Sequence, residues 1–482
     1  NGENITQKLQ QAVNTYEDVV IPAGEYICSG INMKKCTNVS IHAEGAVIYA
    51  DLNSTTPLLF SPNSSAVCKI LIEGGTWDGN GTANPVFRFY GNSSDIQLYH
   101  VTVQNSGDCG IRFSNASSIV LNLLTVTNCK SLGINLNECN TVTISESSLE
   151  SNWECGLRIS KSQNINVKDS AFSGNANHGI RIDSCKNVTA ENLTVLENGA
   201  HGVYVVKSTV TMNQVTANNN YWCGTAVTGV GSKLIVNGGI YNGNGTRPDS
   251  EVAQDDTTAS GISVYNGAQG ALTEVECKQN HGSGVIAAAE SRDDLSIVYV
   301  NGCTIDGNGD HGIGGHPFAN VNVKSSPNGF KTTITNNADS GILVCGNSTS
   351  KYIKDCYITN NGAAGISISE DSTANLIQNV ESDQNKDDGI HVTDQSSVTK
   401  ITKCTLKNNN LTGIGVYNNS GVNEISNSVS DGNLHYGICV DSSTVNNIAG
   451  CKSQNNEWSG IQAKNKGNIS SISKCFMTAN NA

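Results

Sequence analysis

Charge is scarce in this chain. Lys, Arg, Asp and Glu make up 15% of its 482 residues, against about 25% in an average soluble domain. Proline is scarcer still: with only 7, the 49 glycines describe neither a collagen-like chain nor a proline-rich linker. No run of 18 apolar residues occurs, so no segment reads as a membrane-spanning helix. No basic stripe stands out along the sequence, and the net charge is −13, so nucleic acid is not an expected partner. An anionic sugar polymer stays compatible, because a local Arg/His cluster can override the mean field. The 17 cysteines include no CxxC pair and no close Cys/His cluster. That argues against zinc or iron–sulfur ligation and for small, buried, free thiols. No metal or other cofactor is expected; calcium is compatible, but no residue pattern asks for it.

What the chain has in abundance is Asn, Ser, Thr and a repeat. A Gly followed by a β-branched or aliphatic residue recurs at Gly110, Gly133, Gly156, Gly179, Gly202 and Gly224, in steps of 23, 23, 23, 23 and 22 residues. It resumes at Gly261, Gly284, Gly312 and Gly341, after steps of 37, 23, 28 and 29. It then runs through Gly365, Gly389, Gly413 and Gly437 at 24-residue steps, and reaches Gly460 after a step of 23. Short alternating segments follow the glycine, such as Gly-Ile-Arg-Ile at 179–182 and Gly-Ile-His-Val at 389–392. Period two with a branched inward residue marks a strand facing a core. Asn stands four residues before the glycine in twelve coils, from Asn152 to Asn456. One shared Asn implies one shared turn, with Asn suited to the left-handed region and its amides stacked into ladders at strand spacing.

Two or three short strands in 23 residues fit neither a propeller blade nor a leucine-rich repeat. They predict an all-β, right-handed parallel β-helix of about eighteen coils, a solenoid whose coils bury their inner faces by stacking. The expected organisation is a single domain. Residues 1–18 form an N-terminal capping helix, with Ile5, Leu9, Ala12 and Val13 on one side. Irregular first coils span 19–105, regular 23-residue coils 106–240, an inserted loop 241–260, irregular coils 261–340 and regular 24-residue coils 341–482. The chain opens at Asn1 without Met, which reads as a processed or truncated form. The expected location is therefore extracellular, periplasmic or at the cell surface, and the expected state is a monomer.

Val20-Ile21-Pro22-Ala23-Gly24-Glu25-Tyr26 and Ile72-Glu73-Gly74-Gly75-Thr76-Trp77-Asp78-Gly79-Asn80-Gly81 resemble the opening of pectate-lyase-like and polygalacturonase-like β-helices. The later Asn-x-x-x-Gly-Ile coils resemble the generic parallel β-helix repeat of mannuronan epimerases and many lyases. The resemblance spans essentially the whole chain and implies a carbohydrate-active class. Asp255-Asp256 resembles the paired aspartate of the polygalacturonases, and His281-Gly282-Ser283-Gly284 a degraded form of their Gly-His-Gly. The Asn-Thr-Asp and Arg-Ile-Lys motifs of that family are absent, as is the Tyr-Gly-Phe-Asp-Pro-His of the epimerases. No mechanism is inherited.

The 37-residue step between Gly224 and Gly261 marks an insertion of about fourteen residues carrying Arg247, Asp249, Glu251, Asp255 and Asp256. Such a loop is expected to overhang the turn before the strand. Neighbouring coils place His178 and His201 just before the repeat glycine, and Arg158, Arg181 and Tyr204 two residues after it. Asp183, Tyr221, Trp222 and His281 lie close to the same edge. The expected outcome is an outward strip of Arg, His, Tyr and Trp beneath an acidic loop. His178 or His201 would take a proton α to a uronate carboxylate, with Tyr204 as acid. Arg158 or Arg181 would hold the carboxylate, and Tyr221, Trp222 and His281 would contact the sugar. A hydrolase would instead set Asp183 against Asp255 or Asp256. The expected function is therefore a polysaccharide lyase or glycoside hydrolase acting on an acidic polysaccharide. The alternative is a non-catalytic, adhesin-like rod binding a cell-surface glycan, for which the regular coils from Gly341 to Gly460 would serve as pure scaffold. Two further stretches stand out as irregular, Arg292-Asp293-Asp294 and His316-Pro317-Phe318.

Overall fold

A computed structural model describes residues 2–33, 36–62, 67–245 and 259–481. The chain is a right-handed parallel β-helix of about nineteen turns with a short N-terminal helix. It divides into two compact units, residues 1–221 and 222–482.

In the first unit a typical coil runs through three strands: Leu157–Ser160, Gln163–Lys168 and Ala171–Ser173. Each pairs in parallel with its counterpart one coil on. Leu157 faces Ile180, Ile165 faces Val188 and Phe172 faces Val195. Alternation then decides burial: Leu157 and Ile159 point inward, while Arg158 and Ser160 remain half-buried on the outer side. The α-helix, Thr6–Thr15, buries Leu9 and Val13 and so covers the end of the core, as its apolar spacing requires.

The second unit repeats the plan, for example in Ile390–Val392, Ser397–Thr402 and Thr405–Lys407. Its longer steps are taken up at turns. Arg292–Asp294 forms a short 3₁₀ helix in one, and residues 325–331 bulge in another. All 17 cysteines are free, and all but Cys68 and Cys475 are buried. Burial pushes the Cys129 and Cys404 thiols up to about 12, which keeps those two protonated and inert.

The asparagines do form ladders. Asn152, Asn175, Asn198 and Asn220 are buried, and each amide donates to the next Oδ1 at 2.9–3.0 Å. Each backbone N–H donates to the same oxygen, as from Asn152 to Asn175 at 3.1 Å. In the second unit the ladder runs from Asn244 through Asn456 to Asn480. The left-handed residue is not the ladder Asn but the one before it, such as Ser151 (φ 55°), Glu197 (φ 55°) and Gln384 (φ 56°). That kink turns the following Asn inward. The repeat glycine is required by space. A Cβ on Gly156 would lie 2.9 Å from both the Asn175 amide nitrogen and the Gly179 carbonyl oxygen.

Candidate functional site

The position before the repeat glycine faces into the turn. In the first unit it forms a buried column of Cys109, Leu132, Cys155, His178 and His201. The two histidines are 4% and 2% exposed, so the expected outward histidine strip is corrected: these rings line the inside of the turn. They stack at 5.4 Å between centroids, and Tyr204 packs against both at 4.9 and 5.0 Å. The His201 backbone N–H donates to His178 Nδ1 at 3.2 Å. Burial, and then the charge of Arg181, lower the His178 pKa to about 4, so the ring is neutral near pH 7.

Two residues after the glycine the side chains point outward, and parallel pairing stacks them into a column. Phe60 faces Arg88, Arg88 faces Arg112, and Arg112 faces Asn135. Asn135 faces Arg158, Arg158 faces Arg181, and Arg181 faces Tyr204. The sequence hid this basic stripe because its members are one or two coils apart in the chain. Arg158 and Arg181 were legible; Arg88 and Arg112 carry the same Phe-Arg-Phe and Ile-Arg-Phe signal and extend the column. Asp183 is half-buried on the same outer face and accepts a hydrogen bond from the Ser184 hydroxyl at 2.7 Å. Tyr221 is half-buried at the end of this unit, whereas Trp222 and His281 belong to the second. Asp255, Asp256 and the rest of the acidic insertion, 246–258, lie outside the described residues.

The second unit carries a different constellation at the same coil positions, in coils that the sequence presents as scaffold. Asp388 precedes Gly389 and is fully buried. Its Oδ1 accepts the Thr412 backbone N–H at 2.7 Å, and its Oδ2 lies 2.8 Å from His391 Nδ1. The carboxylate thus assigns the proton to Nδ1 and leaves Nε2 as the free base of a neutral ring. His391 sits two residues after the glycine and remains partly exposed. Its ring centroid lies 5.0 Å from that of Tyr417. Tyr417 reaches this place because residue 415 is Gly: a Cβ there would overlap both the Tyr417 ring and Asp388 Oδ2. The Tyr417 hydroxyl donates to Thr412 Oγ1 at 3.4 Å.

Titration follows from this packing. Burial opposes the imidazolium, but the Asp388 hydrogen bond and charge outweigh it, so the His391 pKa is raised. Burial and then Asp388 raise the Asp387 carboxyl. Burial and then Asp388 hold Tyr417 well above the usual phenol range, so it stays protonated. Backbone hydrogen bonds carry one column along this edge from Asp387 through Leu411 and His435 to Trp458. The His435 and Trp458 rings stack at 4.2 Å, with Tyr436 edge-on to Trp458 at 5.0 Å. In the other direction lie Asp310, His311, Asp339 and His316, with His311 3.6 Å from both Asp310 and Asp339. Among the described residues two groups could hold a cation, Asp310/His311/His316 and Asp387/Asp388/His391, each with ligand atoms within 4.8 Å of one another. The signal that could have found Asp388 and His391 is the same departure from the repeat that singled out His178 and Arg181.

A family described as a right handed beta helix region matches residues 87–240, 236–381, 298–447 and 364–482. No curated protein matches the chain. Among solved structures it is similar to tailspike protein 2 of an Escherichia coli bacteriophage, with 14% identity and a TM-score of 0.46, over 57% of this chain and 41% of that one. This chain therefore spans under half the length of that tailspike. It is also similar to the A-module of a mannuronan C-5 epimerase from Azotobacter vinelandii, with 15% identity and a TM-score of 0.41, over 83% of this chain and 94% of that one. A surface adhesin of Streptococcus pneumoniae matches with 14% identity and a TM-score of 0.37, over 81% and 91% of the two chains. No helix among the described residues is long and apolar enough to cross a membrane.

Proposed function

We propose that this chain, which belongs to the family of right-handed β-helix regions, is a polysaccharide lyase that acts on an acidic polysaccharide through His391 and Tyr417. One observation carries the reading: a solvent-reaching imidazole, fixed by a buried aspartate at 2.8 Å, stands against a protonated tyrosine whose place is kept by Gly415. Neutral His391 takes the proton α to the uronate carboxyl through Nε2. The electron pair forms the C4–C5 double bond, the glycosidic C4–O bond breaks, and Tyr417 protonates the leaving oxygen. Asp387, whose carboxyl burial and then Asp388 hold above its ordinary value, stands beside this centre. The His435/Trp458 stack offers a flat apolar face to a sugar ring one to three coils away.

Hydrolysis fits less well. It needs two carboxyls across the scissile bond, roughly 5–9.5 Å apart. Asp387 and Asp388 are consecutive, and both Asp388 oxygens are already engaged. The proposed place of action is extracellular, periplasmic or at the cell surface, where such polymers lie. The test is a screen of folded protein, with calcium supplied, on polygalacturonate and alginate, read by unsaturated-product absorbance and by reducing ends. Absorbance that disappears in His391→Ala is expected. Reducing ends without unsaturated product, or neither signal, would sink the lyase reading for these substrates.

A further inference from the structure

We infer that the arginine column of the first unit is a binding track for a linear anionic polysaccharide, engaging anionic groups at coil spacing. It shares the polymer class of the proposed function but none of its reacting residues, and it stands or falls without them.

The chain has six arginines, Arg88, Arg112, Arg158, Arg181, Arg247 and Arg292, and four of them occupy this one outward column. In a chain of net charge −13, that concentration is local and specific. All four are half-buried, and the Nε–H of each has no acceptor among the described residues. Arg112 is paired with Asp108 at 2.6 Å. Arg158 and Arg181 form no ion pair with any described residue; Arg181 lies over the Tyr204 ring at 5.6 Å. A structural role would bring a carboxylate to each guanidinium, as Asp108 does for Arg112. Two adjacent, aligned guanidiniums without one are arranged for anions that come from outside.

Spacing selects the ligand. Parallel strands lie about 4.8 Å apart, close to the advance of an extended sugar chain per residue. Arg158 and Arg181 are direct neighbours, and Arg88 and Arg112 form a second such pair beyond Asn135. A second outward column runs beside the first: Ser114, Asn137, Ser160 and Asp183. These are partners for sugar hydroxyls next to partners for carboxylates or sulfates. Among the described residues the rings against this column stand towards its ends, Phe60 and Tyr90 at 5.3 and 5.4 Å from Arg88, and Tyr204 at 5.6 Å from Arg181. A single-stranded nucleic acid needs rings along its path to stack its bases, and no ring of a described residue lies against Asn135 or Arg158 in the middle of the column.

The experiment is calorimetric titration of the full chain carrying His391→Ala, so that no turnover intervenes. The probes are a hexagalacturonate, a sulfated hexasaccharide, a fully methyl-esterified hexagalacturonate and a short single-stranded DNA. The track predicts binding of the carboxylated or the sulfated oligomer, and which of the two binds names the anion. Affinity is expected to fall as salt rises, and by at least about tenfold in Arg158→Gln/Arg181→Gln. Thermal melting checks that this variant folds. If it does not, Arg158→Lys/Arg181→Lys keeps the charge and removes the planar fork, with a smaller loss expected. Equal binding by variant and parent overturns the track, as does equal binding of the neutral ester or of DNA, or no binding of either anionic oligomer. Failure here with elimination intact in the wild-type chain leaves the lyase reading standing; binding here with no elimination leaves the track standing.

Discussion

The two units use the same two positions of the coil in opposite ways. In the first, an imidazole precedes the glycine and a guanidinium follows it; in the second, a carboxylate precedes it and an imidazole follows. The consequence is electrostatic. His178 is buried beside a cation and its pKa falls to about 4, whereas His391 gains a buried anion and its pKa rises. The first arrangement holds a neutral ring as packing and presents cations to solvent. The second presents an oriented base. Identical backbone positions thus present a row of cations or a carboxylate-fixed imidazole according to which group is placed in the dry turn.

Substitutions can break this contrast. The largest effect is expected from His391→Ala, which should lower the rate of elimination by about 10²–10⁴-fold, while His178→Leu should lower it by less than about tenfold. The reverse order, measured on one acidic polymer, would move the centre to the first unit. Next comes acid stability. A buried imidazole with its pKa depressed from 6.5 to about 4 supports the fold above the unfolded value and loses that support as pH falls between those limits. The loss is roughly 3 kcal/mol at most. Denaturant melts of wild type and His178→Leu at pH 7 and pH 4 should show the variant losing less stability on acidification.

The ladders are common to both units, so Asn175→Ala and Asn409→Ala should each destabilise by about 1–3 kcal/mol for every buried group left unpaired. A large difference between the two would mean that one ladder relaxes where the other does not. The smallest effect is the titration of His391. Its raised pKa means that the Asp388 pair contributes stability fully below the unfolded histidine value and loses it as pH rises through the folded one. Elimination should increase over that same interval, since the base must be neutral. Asp388→Asn should flatten the stability change and shift the activity profile to lower pH.

Much of this was legible in the letters. The 23- and 24-residue steps and the alternating segments after each glycine predict the coil. The twelve asparagines predict the ladder, though Asn244 escaped because the insertion hides its glycine, and Asn480 because no repeat glycine follows it. Arg158, Arg181 and Tyr204 were correctly aligned. His178 and His201 were expected to face outward, because strand alternation says nothing about a turn residue. The direction there is decided by the left-handed kink upstream. Regularity hides local chemistry: the coils from Gly341 to Gly460 keep steps of 24 and then 23 residues, yet bring Asp388, His391 and Tyr417 together.

The sequence by itself determines the solenoid, since a coil of about 23 residues with two or three apolar faces buries them only by stacking. It also determines where the glycines and asparagines stand, because each must fit against its own copy one coil away. Tertiary structure alone decides which distant residues become neighbours. Arg88 and Arg181 lie 93 residues apart in the chain yet share one column, and Asp388 meets Tyr417 across a coil boundary over a missing side chain at Gly415. Stacking turns one full coil of sequence into a single strand spacing, and only the register of that stacking brings charge, ring and carboxylate together.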